Sequence, residues 1–136
     1  MLYGIGCDLC EIAHLEKSLT GAHAAAFIRR VYGEAERAAL SLDEPLPAGR
    51  SAAHRLASAA ANFAAKEAFA KAAGTGLRAP VTLSALAVTH DTLGRPGWAF
   101  SDELASWLQQ RGIVHCHLSI SDERSQCLAF VVLERT

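Results

Sequence analysis

Hydrophobic and polar positions change period several times along the chain, and each change marks an element. Across residues 2–12 the period is two. Ile5, Cys7 and Leu9 fall on one face and Gly4, Gly6, Asp8 and Cys10 on the other, as in a strand. From residue 13 to about 19, and again from 22 to 32, the spacing turns helical. Ile12, Leu15 and Leu19, then Phe27, Ile28 and Val31, form the apolar stripe. The other side carries His14, Lys17, His23, Arg29 and Arg30. A short helix follows over 34–40, and Leu42-Asp-Glu-Pro-Leu-Pro-Ala-Gly-Arg50 is a loop set by two prolines and a glycine.

The longest unbroken run covers residues 51–73, rich in Ala with Lys, Glu and Phe, and Gly74-Thr75-Gly76 closes it at a C-cap. Residues 83–90 and 97–100 read as strands around the turn Thr92-Leu-Gly-Arg-Pro96. Ser101-Asp-Glu caps a helix through Gln110, with Asp102 and Glu103 at its positive end. Near the C-terminus His115, His117, Ser119 and Ser121 alternate with Cys116, Leu118 and Ile120. After the turn Asp122-Glu-Arg-Ser125 a partner strand runs from Cys127 to Glu134. Strands at both ends, a hairpin between and helices elsewhere predict an α+β fold, an antiparallel sheet packed against a long central helix. No repeat, low-complexity tract or linker divides residues 1–136, so a single domain is expected.

Composition then narrows the function. A chain of 136 residues that is 51% hydrophobic can bury a substantial core. Its net charge of −1, from 13 basic and 14 acidic residues, argues against nucleic acid as a partner. No apolar run approaches the roughly 20 residues of a membrane span. Met1 to Asp8 lacks the basic start of a secretory leader, so a cytoplasmic location is expected. Cys7 and Cys10 form C-x-x-C, but on a strand they point to opposite faces. Together with Cys116 and Cys127 they read as buried, reduced thiols.

Charge within the long helix is concentrated at Lys66, Glu67 and Lys71. Glu67 and Lys71 are four apart and share a face with Phe63. A carboxylate on an apolar helix that runs into a glycine loop fits a metal or phosphate site. It equally fits a surface ion pair. Asp8 stands beside Gly6, where the missing side chain leaves room for close approach. Such an Asp can also simply face water.

Three separated motifs share a resemblance. Tyr3-Gly-Ile-Gly-Cys-Asp-Leu-Cys-Glu-Ile12 resembles the opening G-x-G-x-D-x-x-E-I of bacterial holo-acyl-carrier-protein synthases. Phe63-Ala-Ala-Lys-Glu-Ala-Phe-Ala-Lys-Ala-Ala-Gly-Thr-Gly76 resembles their F-A-A-K-E-A…K-A…G-T-G signature. His117-Leu-Ser-Ile-Ser-Asp-Glu-Arg124, followed by Ala129-Phe-Val-Val-Leu-Glu134, resembles their closing H-x-S-I-S and strand. Gly94-Arg-Pro96 and Phe27-Ile-Arg-Arg-Val-Tyr32 also fit, so the likeness spans almost the whole chain.

The resemblance implies a Mg²⁺-dependent 4′-phosphopantetheinyl transferase. Such enzymes move the arm of coenzyme A onto a serine of apo-acyl carrier protein and release adenosine 3′,5′-bisphosphate, in support of fatty acid biosynthesis. It also implies a homotrimer with active sites between subunits. By the same likeness Asp8 and Glu67 are the metal ligands, and Asp8, Glu67 and Lys71 the catalytic residues. Lys66, Lys71, Gly74, Thr75, Gly76, Pro96, His117 and Ser119 are expected around coenzyme A, the two lysines reaching phosphate oxygens. His14, Lys17, Arg29 and Arg30 are expected to meet the acidic carrier. The family usually has Arg where Asn62 stands here, and Arg55, two turns earlier on the same stripe, is the replacement the sequence offers. Two other classes compete: a coenzyme A or nucleotide-binding module without transfer, and a thiol or zinc protein built on Cys7, Cys10, Cys116 and His117.

Overall fold

A computed structural model describes residues 1–136. The chain opens with strand β1 (Leu2–Glu11), followed by helices α1 (Ile12–Thr20), α2 (Ala24–Val31) and α3 (Glu34–Leu40). Helix α4 (Arg50–Ala73) is the longest element. After it come a 3₁₀ turn at Leu83–Ala85, strands β2 (Leu86–His90) and β3 (Pro96–Phe100), helix α5 (Asp102–Gln110), and strands β4 (Ile113–Asp122) and β5 (Gln126–Arg135). The α+β fold is as expected from the periodicities. No helix is long and apolar enough to cross a membrane.

β1, β5 and β4 form an antiparallel sheet in that order, and β2 and β3 form a separate hairpin. Register decides which side chains share a face. Asp8 lies opposite Ala129, Cys10 opposite Cys127, and Leu9 opposite Leu128. Ser119 lies opposite Phe130 and His117 opposite Val132. One face, with Gly4, Gly6, Asp8, Ala129 and Val131, packs on α4. The other face presents Ile5, Leu9, Leu128 and Phe130, all exposed. Alternation in β1 therefore holds, but its glycine side turns toward the core and its large apolar residues turn outward.

The helix α4 forms because alanine loses no side-chain freedom on becoming helical. It stops at Gly74, whose φ of 77° suits a residue without Cβ and whose N–H donates to the Lys71 carbonyl. On one side Phe69 meets Trp98 and Phe100 of the hairpin. On another, Phe63 meets Phe27 of α2. The cap of α5 is the one its sequence predicts, with the Leu104 N–H donating to Ser101 Oγ.

The cysteine expectation needs one correction. Cys10 and Cys127 are buried and Cys116 is half-buried, all as free thiols, but Cys7 is exposed on the outward face. Its neighbours there, Ile5 and Leu9, are exposed as well, so that side of β1 is not core within one chain.

Candidate active site

β1 crosses α4 at very close range. A Cβ added at Gly4 would overlap the Ala72 carbonyl oxygen, and one at Gly6 the Ala68 carbonyl oxygen. Two small-residue surfaces thus let a strand backbone rest on a helix backbone. Asp8, two residues beyond Gly6 on the same face, is carried to the α4 turn that bears Glu67 and Lys71. Lys71 Nζ donates to Asp8 Oδ1 at 3.0 Å and to the Cys7 carbonyl at 2.8 Å.

Electrostatics tie the three groups together. Burial pushes the Glu67 carboxyl above its ordinary range, Asp8 adds to the rise, and Lys71 opposes it. The bond to Asp8 raises Lys71 above the usual lysine range. Two carboxylates that repel one another beside a single ammonium form a donor set short of positive charge. Mg²⁺ is usually held by one or two protein carboxylates with phosphate and water completing its shell. Asp8 and Glu67 fit that requirement. No three His, Cys, Asp or Glu side chains gather to hold a metal ion, so a metal at this site would rest on the two carboxylates with phosphate and water.

Gly74-Thr75-Gly76 follows one turn beyond Lys71. Gly74 and Gly76 have φ of 77° and 65° with open space around them, so backbone conformation and not crowding calls for glycine there. The Thr75 hydroxyl donates to the Gly76 carbonyl. Pro96 lies farther along, in a cavity of about 230 Å³ shared with His54, Asn62, His90 and Asp122. An adjoining cavity of about 450 Å³ also includes His54 and adds Arg50 and Arg55. Asp91 Oδ1 accepts the N–H groups of Leu93 and Arg95 and so fixes the turn that leads into Pro96.

Three expectations meet a different geometry. Lys66 does not reach outward toward phosphate. It is fully buried, and its Nζ donates to the Val31 carbonyl and to Glu36 Oε1. Neighbours in sequence point about 100° apart on a helix, so Glu67 faces Asp8 while Lys66 faces the core. His117 and Ser119 lie on the outward face of the sheet, opposite the face that packs on α4, so one chain does not bring them to Asp8 and Glu67. His117 Nε2 instead meets Glu134 Oε2 at 2.6 Å and holds that carboxyl below its usual range. Arg55 lines the larger cavity, but its Nη1 donates to the Glu44 and Pro45 carbonyls.

The thiol and zinc alternative does not assemble. Cys7 and His117 point outward, whereas Cys10 and Cys116 point inward, and burial pushes both inward thiols up to about 11. Sequence reasoning passed over Glu36, buried at 3% exposure, and the cavity residues Arg50, His54 and His90. Glu36 had a signal. A lysine one turn from an asparagine on an alanine-coated helix needs an acidic partner if that face is buried.

Comparison with known proteins gives the family. Residues 4–131 match the family model of the 4'-phosphopantetheinyl transferase superfamily. A holo-[acyl-carrier-protein] synthase of Laribacter hongkongensis is 52% identical over 134 residues, 98% of this chain and 99% of that protein. One from Nitrosomonas europaea is 47% identical over 99% of this chain and all of its own length. The crystal structure of the Neisseria meningitidis holo-[acyl-carrier-protein] synthase superposes with a TM-score of 0.81 at 37% identity, covering 99% of this chain and 100% of that one. A Bacillus anthracis holo-(acyl-carrier-protein) synthase in complex with CoA (3',5'-ADP) gives 0.77 at 32% identity, over 100% and 99%. The chain belongs to the 4'-phosphopantetheinyl transferase superfamily.

Proposed function

We propose that this chain is a holo-[acyl-carrier-protein] synthase. It transfers the 4′-phosphopantetheine of coenzyme A to a serine of apo-acyl carrier protein and releases adenosine 3′,5′-bisphosphate. The observation that carries the reading is the meeting of Asp8, Glu67 and Lys71 where β1 crosses α4.

The serine oxygen attacks the phosphorus that bears the pantetheine arm, and the bond to the nucleotide phosphate breaks. Asp8, directly or through a water beside it, takes the serine proton, since a general base must lie within hydrogen-bond reach and one Asp8 oxygen is free of the Lys71 contact. Lys71 orients Asp8 and offsets negative charge on the pyrophosphate. Asp8 and Glu67 would hold Mg²⁺, which when bound neutralises the pyrophosphate and polarises the phosphorus under attack. The Gly74–Gly76 loop offers backbone N–H groups to phosphate oxygens. The cavities lined by Pro96, Asn62, His54 and Arg55 take the nucleotide end.

His117 and Ser119 serve a neighbouring copy's site in a homotrimer. The outward apolar face of Ile5, Leu9, Leu128 and Phe130 supports that reading, because an exposed sheet face of this kind needs a partner. The basic residues His14, Lys17, Arg29 and Arg30 of α1 and α2 are exposed for an acidic carrier.

Incubation of the purified chain with coenzyme A, Mg²⁺ and an apo-carrier, followed by intact mass, tests the function. The carrier should gain one phosphopantetheine, and omission of Mg²⁺ should abolish the gain. Binding of coenzyme A without modification of any apo-carrier would leave a non-catalytic binding module and overturn the proposal.

A further inference from the structure

Twelve residues of α4 are buried, and eight of them are alanines. Helices lock together through ridges and grooves, and an alanine surface has little relief. Only Leu56 and Phe69 among those twelve are large apolar side chains, so apolar packing leaves part of the work of fixing the rotation of α4 to other groups. Yet a one-residue change of facing, about 100°, would aim Ala68 at Asp8 in place of Glu67.

Polar groups supply what the alanines lack. Asn62 and Lys66, one turn apart, both donate to a single carboxylate: Asn62 Nδ2 to Glu36 Oε2 at 3.1 Å, and Lys66 Nζ to Glu36 Oε1. Glu36 Oε2 also accepts the Val88 N–H of β2 at 3.3 Å. Lys66 reaches the Val31 carbonyl at the end of α2 and lies 5.2 Å from the centre of the Tyr32 ring. Glu36, Asn62 and Lys66 are 3%, 4% and 0% exposed. A buried ion pair is a poor way to gain stability, because apolar residues of similar volume often do as well or better. Its best-attested use is to select one arrangement among several.

We propose that Glu36 is a positioning residue of the transferase. Through Asn62 and Lys66 it fixes the axial rotation of α4 and so aims Glu67 at Asp8. This rests on the reading of Asp8 and Glu67 as the working pair.

The double variant Glu36→Gln with Lys66→Met removes the ion pair without leaving a lone buried charge and keeps an acceptor for Asn62 and Val88. Mn²⁺, as a probe for the metal site, is titrated into folded protein with coenzyme A present, and kcat and carrier KM are measured alongside. The expected result is Mn²⁺ affinity weaker by about 10–100-fold, the range for partners that orient ligands, with kcat lowered and carrier KM unchanged. Leu104→Ala, a core change in α5, should lower thermal stability at least as far without moving Mn²⁺ affinity. If the double variant only loses stability and keeps wild-type Mn²⁺ affinity and kcat, Glu36 is a structural residue and the proposal fails. Should it not fold, Asn62→Leu carries the same test, and unchanged Mn²⁺ affinity in that variant overturns the proposal. Unchanged Mn²⁺ affinity in the single variant Glu67→Gln would instead refute the underlying site.

Discussion

Gly6→Ala adds one methyl group at the point where β1 rests on α4. Beyond the overlap with the Ala68 carbonyl, the new Cβ would lie 2.7 Å from Ala72 N and 2.9 Å from Lys71 Cβ. Two of these three neighbours are backbone atoms, so no rotamer change relieves the crowding. Ordinary carbon contacts begin near 3.5 Å, so β1 must retreat from α4 by roughly an ångström. Overpacking of this kind costs about 1–3 kcal/mol, and the rigid backbone on both sides places Gly6→Ala at the upper end. Asp8 moves with the strand. A misplacement of about 1 Å at a reacting group costs on the order of a hundredfold in rate. Urea denaturation measures the first effect, and steady-state transfer at a temperature where both proteins are folded measures the second. Gly33→Ala is the control, since its Cβ would meet nothing nearer than the Ser84 carbonyl at 3.8 Å. A Gly6→Ala protein within about 0.5 kcal/mol of wild type and fully active would refute the close-approach reasoning.

Glu67→Gln should lower the transfer rate by roughly a hundredfold or more. Because Glu67 is held above its ordinary range, the metal-free fold prefers its protonated form. Glu67 therefore lowers stability as pH rises from its unfolded value through its folded one, and that part of the pH profile should vanish in Glu67→Gln. A metal-free stability profile that is the same in both proteins across that range would contradict the assignment. Lys71→Met removes two contacts from a half-exposed side chain, so stability should change by less than about 1 kcal/mol while kcat falls severalfold or more. Full activity would exclude Lys71 from the chemistry. Phe130→Asp places a charge on the outward sheet face and should convert the proposed trimer to monomers in sedimentation equilibrium. An unchanged mass would place the subunit contact elsewhere.

Most of the fold was legible because its elements carry strong periods and clear stops. The α4 boundary at Gly74, the Ser101 cap and the alternation of both terminal strands all follow from local chemistry. What local chemistry does not fix is which side of an alternating strand faces inward. In β1 the apolar side faces outward, because the glycine side is the one that can approach a helix backbone. The site divides the same way. Asp8, Glu67 and Lys71 converge through that single strand-on-helix contact, so their motifs carried most of the geometry. Lys66 was misjudged because charge alone gives no direction, and its direction depends on Glu36, thirty residues away in sequence. His117 and Ser119 could not be placed from their motif, because register sets their side of the sheet.

The glycines of β1 and the alanines of α4 are two halves of one device. An Asp and a Glu side chain together span only a few bonds, so both can reach one small ion only if the backbones that carry them are close. Larger residues at either surface would hold strand and helix apart. Small residues bury little apolar area, and stabilisation scales with that area, so this contact stabilises the fold less than a contact of ordinary size. Apolar packing elsewhere offsets the deficit: Phe69 against Trp98 and Phe100 on the hairpin, and Phe27 against Phe63 on α2. The smooth contact itself does little to fix rotation of the helix, a demand that Phe69 and the Glu36, Asn62 and Lys66 network meet together. Close approach and a buried polar anchor are thus linked requirements, the second made necessary by the first.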